Sequence, residues 1–453
     1  MNIRNRLQRL TGEKPVEEGA APQDDKSREE EIRTLRERVD AILLRRPEEL
    51  KNQAPRLGRG RGIPLEDVVS GTEEVNDAGV FFCAHRLAGG SYRHGERCIR
   101  DLAPLDMGRL AVLANDQALR GLDYHRALFL DTETTGLAGG TGTVAFLIGL
   151  GWFEGGGFVT QQLFARDYAD EKATLLHLKE RLGEREFIVS FNGKAFDANL
   201  LATRFIMNRL PNPLSGLPHL DLLHPARRLL SHRLADRRLS ALEMSVLGFD
   251  REGDIPGSEI PQRYFDWLRK RDGLLVADVF EHNRLDILSL AALAAHLVEL
   301  IDPDMERTVF YQGDRLAAAR LFLARECHVD AIRLLDPLSG CACQETAREA
   351  ARELSLLHKR QNRWPEAVAI WEEMLRRDGE DLFALVELAK WCEHRRHDFS
   401  RGLELTVLAC ACANRLSPEE RTGLTRRRER LERLRQSNSS SRAVKKRSRD
   451  KRG

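Results

Sequence analysis

Leu128-Phe129-Leu130-Asp131-Thr132-Glu133-Thr134-Thr135-Gly136-Leu137 is an apolar run that ends in two carboxylates two residues apart. Side chains at i and i+2 of a strand share a face, so Asp131 and Glu133 point at one spot. Two hard oxygen donors converging there suit Mg²⁺ or Mn²⁺, whereas the Asp-x-Glu pair alone could equally be a solvated strand end. Gly136 then permits a tight turn in which a ligand can approach the backbone.

Working outward, residues 127–130, 144–153 and 158–164 read as three strands. The last two are joined by a Glu154-Gly155-Gly156-Gly157 hairpin turn. A helix over 170–182, a buried strand over 187–191 and a helix over 196–210, stopped by Pro211, follow. The predicted class is α/β, a mixed sheet flanked by helices. Beyond Asp302 the pattern is all helical, and Ala331, Ala367 and Gly402 recur at a spacing of about 35 residues in similar settings, which predicts helical hairpins stacked as repeats.

The 453 residues suffice for two or three domains. With 42% hydrophobic and 31% charged residues, wholesale disorder is excluded. The net charge of +2 is segregated: the stretch from Arg415 to Gly453 holds 15 basic and 5 acidic residues, so the remainder is acidic. Any general attraction to phosphate therefore belongs to the C-terminal tail. Residues 1–60 mix charge runs with Ala, Pro and Gly and read as a flexible leader. Within it Ile32, Leu35, Val39, Ile42 and Leu43 fall at helical spacing. The boundaries that result are a leader over 1–60, an α/β domain with an N-terminal extension over 61–302, a helical repeat region over 303–435 and a disordered basic tail over 436–453.

Eight cysteines without a C-x-x-C pair fit free thiols in a reducing cytoplasm. Met1 to Leu10 has no apolar core of a signal peptide. The longest apolar stretch, near Ile287 to Ile301, is interrupted by Ser289, His296 and Glu299, so no membrane span is expected. Cys83, His85, His94 and Cys98 are zinc-ligand types, but at a spacing that matches no strong zinc rule. The pairs Cys341/Cys343 and Cys410/Cys412 read as small residues of the repeats.

Two further stretches carry polar groups that chemistry could use. Phe191-Asn192-Gly193-Lys194-Ala195-Phe196-Asp197 is a strand, a turn and a helix start. There Asp197 either serves a site or complements the helix macrodipole, and Lys194 meets either phosphate or solvent. In Glu281-His282-Asn283-Arg284-Leu285-Asp286, His282 and Asp286 stack one helical turn apart. Such a pair is often only a helix surface, but here the helix is rich in core residues such as Leu288, Leu290 and Leu293.

Taken together, the three stretches resemble the DEDD group of 3′-to-5′ exonucleases in the ribonuclease H-like superfamily. Asp131 and Glu133 match its first motif, Asp197 its second and Asp286 its third. Within that group the chain looks like the bacterial YprB-type proteins, which join such a domain to tetratricopeptide repeats. The Asp-Thr-Glu-Thr-Thr-Gly-Leu and Phe-Asn-Gly-Lys-x-Phe-Asp stretches carry this likeness. Trp364-Pro365-Glu366-Ala367 resembles the second helix of such a repeat.

The resemblance implies hydrolysis of DNA or RNA phosphodiesters at single-stranded ends by two Mg²⁺ or Mn²⁺ ions. Asp131, Glu133, Asp197 and Asp286 would be the ligands, and the repeats would bind a protein partner. It also exposes a departure. The familiar general base is a Tyr four residues before the last Asp or a His five before it, whereas His282 stands at minus four and Glu281 at minus five. His282 is the expected base because an imidazole titrates near neutrality, with Glu281 as the alternative. Asp221 is either a further acid of the site or a strand-end cap, and Leu137 and Phe196 either pack on a terminal base or fill the core. A nucleic-acid-binding scaffold of weak activity and a structure-specific endonuclease are the alternatives on the same fold.

Overall fold

The computed structural model describes residues 62–136, 142–305, 311–412 and 417–449, with side chains as far as Ser437. The leader with its expected helix and the side chain of Leu137 lie outside the described residues. After a one-turn helix at Leu65–Val68 the strands are β1 Gly71–Asn76, β2 Gly79–Ala88, β3 Arg93–His94, β4 Arg97–Cys98, β5 Ala127–Thr134, β6 Ala145–Glu154, β7 Gly157–Phe164, β8 Phe187–Ser190 and β9 His219–Asp221. Among the described residues, seven of them form one sheet in the order β1-β2-β7-β6-β5-β8-β9. β5 pairs antiparallel with β6 and parallel with β8, so the expected mixed sheet is present.

The sheet also extends where the sequence reading placed only an extension. β1 and β2 add an antiparallel pair to the edge of β7. β1, Gly-Thr-Glu-Glu-Val-Asn, is almost wholly exposed. An acidic edge strand without apolar alternation has no periodic signature, and its charges protect an unpaired edge.

The helices are α1 Met107–Ala114, α2 Glu171–Gly183, α3 Asp197–Met207, α4 Leu223–Leu230, α5 Ile260–Lys270, α6 Leu274–Leu300, then α7 Gln312–Ala324, α8 His328–Ser339, α9 Gln344–Arg360, α10 Trp364–Arg377, α11 Leu382–Trp391, α12 Phe399–Ala411 and α13 Pro418–Arg449. The sheet is sandwiched. Leu128, Leu130 and Ile188 pack with Leu175 and Leu178 of α2 and Leu201 and Phe205 of α3 on one face. Ala127, Phe129 and Val189 pack with Ile287, Leu290 and Ala291 of α6 on the other.

The three polar interruptions of α6 all serve the β3–β4 hairpin. Ser289 Oγ is 2.7 Å from His94 Nε2, Glu299 accepts from Arg97 at 2.8 and 2.9 Å, and His296 Nδ1 lies 3.3 Å from Arg97 Nη2. No helix of the described residues is long and apolar enough to cross a membrane. The four zinc-ligand types do not gather: Cys83 accepts a hydrogen bond from Gln161, and Cys98 from Arg93. All eight thiols are free.

Two features differ from the expected boundaries. Leu316, Ala319 and Phe322 of α7, Leu335 of α8 and Leu354 of α9 belong to the same hydrophobic cluster as Phe129 and Leu290, so the core runs through residue 302 without a break. At the other end α13 continues to Arg449, across the expected start of disorder at 436. Its Arg, Lys, Glu, Gln and Ala content favours helix despite the serine run. Leu424 and Leu431 are buried along it, and the buried Glu393 binds Arg427 and Arg430. The recurrent small residues Ala331, Ala367 and Gly402 are each buried at the fourth position of α8, α10 and α12, where a larger side chain would separate paired helices.

Candidate metal centre

β5 delivers Asp131 and Glu133 on the same face as Ala127 and Phe129, towards α6. That face is also where Asn283 of α6 sits. Asp131, Gly149 and Gln162 lie side by side in register on β5, β6 and β7. Gln162 Nε2 donates to the Phe280 carbonyl at 2.7 Å and to Asn283 Oδ1 at 2.9 Å, which forces the amide nitrogen of Asn283 towards Asp131, where it donates to Oδ2 at 2.9 Å. The amide thus spans from β7 to β5 directly above Gly149. A Cβ at Gly149 would lie 2.2 Å from Asn283 Oδ1.

Gly149→Ala is therefore expected to displace Asn283, to cost about 1–3 kcal/mol of stability as an overpacked core and to impair whatever chemistry depends on Asp131. Thermal melts and activity of the variant check both effects; parent values in each would mean that Asn283 does not hold Asp131.

Asp197 arrives from the opposite face of the sheet. It is the first residue of α3, where the helix N-terminus favours a carboxylate, and its Oδ1 accepts from the Thr132 hydroxyl. The turn before it is tied down by Asp221, which accepts from the backbone N–H groups of Asn192 (2.8 Å), Lys194 (3.1 Å) and Leu223 (3.1 Å). Asp221 thus acts as a cap on this turn. Gly193 lies so close to the acid that a Cβ there would stand 2.5 Å from Ser190 Oγ and 3.0 Å from Asp197 Oδ2. Lys194 is exposed beside it and Phe196 is half-buried.

His282 and Asp286 stack as their spacing predicts, with Nε2 3.4 Å from Asp286 Oδ2. The other ring nitrogen, Nδ1, lies 2.8 and 2.9 Å from the two oxygens of Asp254. Glu281 points elsewhere: it is about half exposed and bonded to Arg284, with Arg86 at 3.5 Å. Its pKa is lowered, with the Arg284 hydrogen bond as the largest cause. Glu133, His282 and Asp286 each offer a ligand atom within 4.8 Å of the others. That compact set includes the imidazole. Asp131 and Asp197, expected as ligands, adjoin it with one oxygen each committed to Asn283 and Thr132.

The electrostatics show that the carboxylates crowd one another. Burial, followed by repulsion from Asp286, Glu133 and Asp197, holds the Asp131 carboxyl well above the usual range. Burial and Asp286 push Glu133 up to about 8, and burial pushes Asp197 up to about 6 against the Thr132 hydrogen bond. Burial alone would lower the pKa of His282, but Asp286, Glu133 and Asp254 outweigh it and the net shift is upward. Repelling, desolvated oxygen donors with an imidazole among them fit a hard divalent cation, which removes the repulsion.

Three side chains of this centre escaped the sequence reading. Asn283 stood inside a quoted motif, and its place on the apolar face between Phe280 and Ile287 was the available signal. Asp254 and Arg251 lie in an irregular segment with no periodicity, and nothing local marks them.

The RNase_H superfamily family model matches residues 128–298 of this chain, from the strand carrying Asp131 to the end of the helix carrying Asp286. The chain is also 32% identical over 362 residues to the uncharacterized protein YprB of Bacillus subtilis (strain 168), an alignment that covers 76% of this chain and 83% of that protein. The chain belongs to the YprB family. Its ribonuclease H-like domain is the fold of nucleases that act on nucleic acids, and the YprB likeness extends well beyond it.

Proposed function

We propose that this YprB-family chain is a metal-dependent nuclease that hydrolyses phosphodiester bonds at the ends of DNA or RNA strands, working in the 3′-to-5′ direction in the cytoplasm. The observation that carries this reading is the convergence of Asp131, Glu133, Asp197 and Asp286 on one buried place beside an imidazole oriented by Asp254. When bound, two Mg²⁺ or Mn²⁺ ions supply charge stabilisation of the phosphate and an activated water. The four carboxylates would hold those ions, and Asn283 fixes Asp131 in place for that role. His282 takes the proton of the attacking water at Nε2, while Nδ1–H on Asp254 stabilises the imidazolium that results. Lys194 meets the substrate's phosphates, and Phe196 supports the terminal base.

The test is a digestion of end-labelled single- and double-stranded DNA and RNA with Mn²⁺ and with EDTA. Progressive shortening from the 3′ end with Mn²⁺ alone is expected. Undiminished cleavage in EDTA would overturn the reading.

The helical region is assigned to a partner protein. α9, α10 and α11 border a groove of about 1230 Å³ lined by both signs of charge, among them Arg348, Arg352, Glu345 and Glu373. Substrate capture is assigned to the basic C-terminus. Because Leu424 and Leu431 are buried in the helical region, the informative truncation removes only 438–453, which holds seven basic residues and one acidic residue. For single strands log K falls with log salt at about −0.7 per phosphate neutralised. The truncation is expected to flatten that slope, while hydrolysis of a short oligonucleotide at saturation stays at the parent rate. Identical slopes would place nucleic-acid capture in the core.

A further inference from the structure

Arg251 is buried against α6, its side chain 7% exposed, and three carboxylates share its guanidinium. Glu243 is held through two N–H groups at 2.6 and 2.5 Å, Asp254 at 3.1 Å, and Asp286 Oδ1 through Nη2. Glu243 is itself fully buried, in the π-helical turn Glu243–Leu247. Ser289 lies against it, and behind Ser289 stands His94, whose ring is 4.0 Å from that of Phe249. A two-pronged guanidinium seated on such a carboxylate cannot swing away without leaving a buried, unpaired charge, which is strongly unfavourable. The positive charge on Asp286 Oδ1 is therefore a fixed part of the centre.

We propose that Arg251 is a resident counter-cation of the metal centre: it occupies one oxygen of Asp286, leaves Oδ2 for a metal ion shared with Glu133, and holds the affinity for divalent cations down. This rests on the reading of the site as a metal centre. The argument is one of charge and geometry. A divalent ion held by Glu133 and Asp286 would be repelled by the guanidinium, which is bonded to that same Asp286 carboxylate. Glu243 offsets part of that repulsion, since its Oε1 accepts from the same Nη2 that binds Asp286 Oδ1. Arg251 acts through Asp286 and is thus a positioning residue, in a segment outside all three acidic motifs.

Mn²⁺ binding to the metal-stripped full chain, followed by calorimetry and by loss of the free-ion electron paramagnetic resonance signal, tests this without reference to turnover. Arg251→Gln is expected to bind Mn²⁺ at least about tenfold more tightly than the parent, the size of effect for one unit charge removed a few ångströms away in a partly solvated site. Arg251→Lys keeps the charge and is expected to stay within about threefold of the parent, since a point charge persists beside Asp286 although the fork is lost. A merely structural arginine would not produce that split. Should Arg251→Gln fail to fold around the unpaired Glu243, the double variant Glu243→Gln/Arg251→Gln removes both buried charges, and tighter Mn²⁺ binding by a smaller factor is expected, because the guanidinium touches Asp286 directly while Glu243 reaches it only through Arg251. Unchanged or weaker binding in the folded variant overturns the inference while leaving the metal centre standing. A parent chain that binds no Mn²⁺ overturns the metal centre and this inference together.

Discussion

Asp131→Ala and Asp197→Ala are each expected to reduce Mn²⁺-dependent phosphodiester hydrolysis by on the order of 10³-fold or more, because the substrate's phosphate loses an ion that the remaining donors cannot hold in place. The fold should survive. Both acids are kept above the ordinary carboxylate range, by burial first and by neighbouring carboxylates. Their ionisation therefore opposes folding when no cation is present.

The pH dependence follows from that direction. An acid whose folded pKa is raised binds its proton more tightly in the folded chain, so its penalty is absent below about pH 4 and grows as the pH rises through the folded value. For Glu133 that value is about 8. In metal-free buffer Asp131→Asn is thus expected to melt above the parent, by a margin larger at pH 8 than at pH 5. Mn²⁺ should raise the melting temperature of the parent by more than that of the variant, which keeps Glu133 and Asp286. A variant with parent-level turnover, or a parent indifferent to Mn²⁺, would remove Asp131 from the centre.

His282→Ala is expected to lower the rate by about 10² to 10⁴-fold, the usual contribution of a positioned general base. A base works as the neutral imidazole, and the carboxylates of Asp286, Glu133 and Asp254 raise its pKa against the effect of burial. The acid-side limb of kcat/KM in the parent should accordingly lie above about pH 6.5, the ordinary histidine value. Asp254→Asn, which removes one of those charges, should move the limb to lower pH. Glu281→Gln is expected to matter little, since Glu281 is tied to Arg284 on the outer side of the helix. Loss of activity in Glu281→Gln with His282→Ala near the parent rate would falsify this assignment of the base.

The five side chains singled out in the sequence come from three separated stretches, and the structure gathers them. Asp131 and Glu133 share a face because strand side chains alternate, and His282 and Asp286 stack because a helix turns in about four residues. Those are local rules, readable in a single line of sequence. Local rules read Asp197 as an acid at a helix start and left its part in a site open, which the resemblance alone supplied. Its approach to Asp131 follows from β8 lying parallel to β5, a pairing of residues 60 positions apart in the chain.

What the sequence by itself determined is the set of elements with strong periodicity: the strands around Asp131, the hairpin after Glu154, the helix carrying His282, and the small residues spaced along the helical region. Hydrophobic spacing encodes these because burial acts on nearest neighbours within one strand or helix. The tertiary structure alone decided the rest. It placed the acidic β1 at the edge of the sheet and joined the core of the α/β domain to that of the first repeat helices. It also set Arg251 and Asp254 against Asp286 and His282, about 30 residues away. Neither residue has a local preference that would announce it. Their positions are fixed by the need of buried charges for partners, and that need is met only when distant segments have packed.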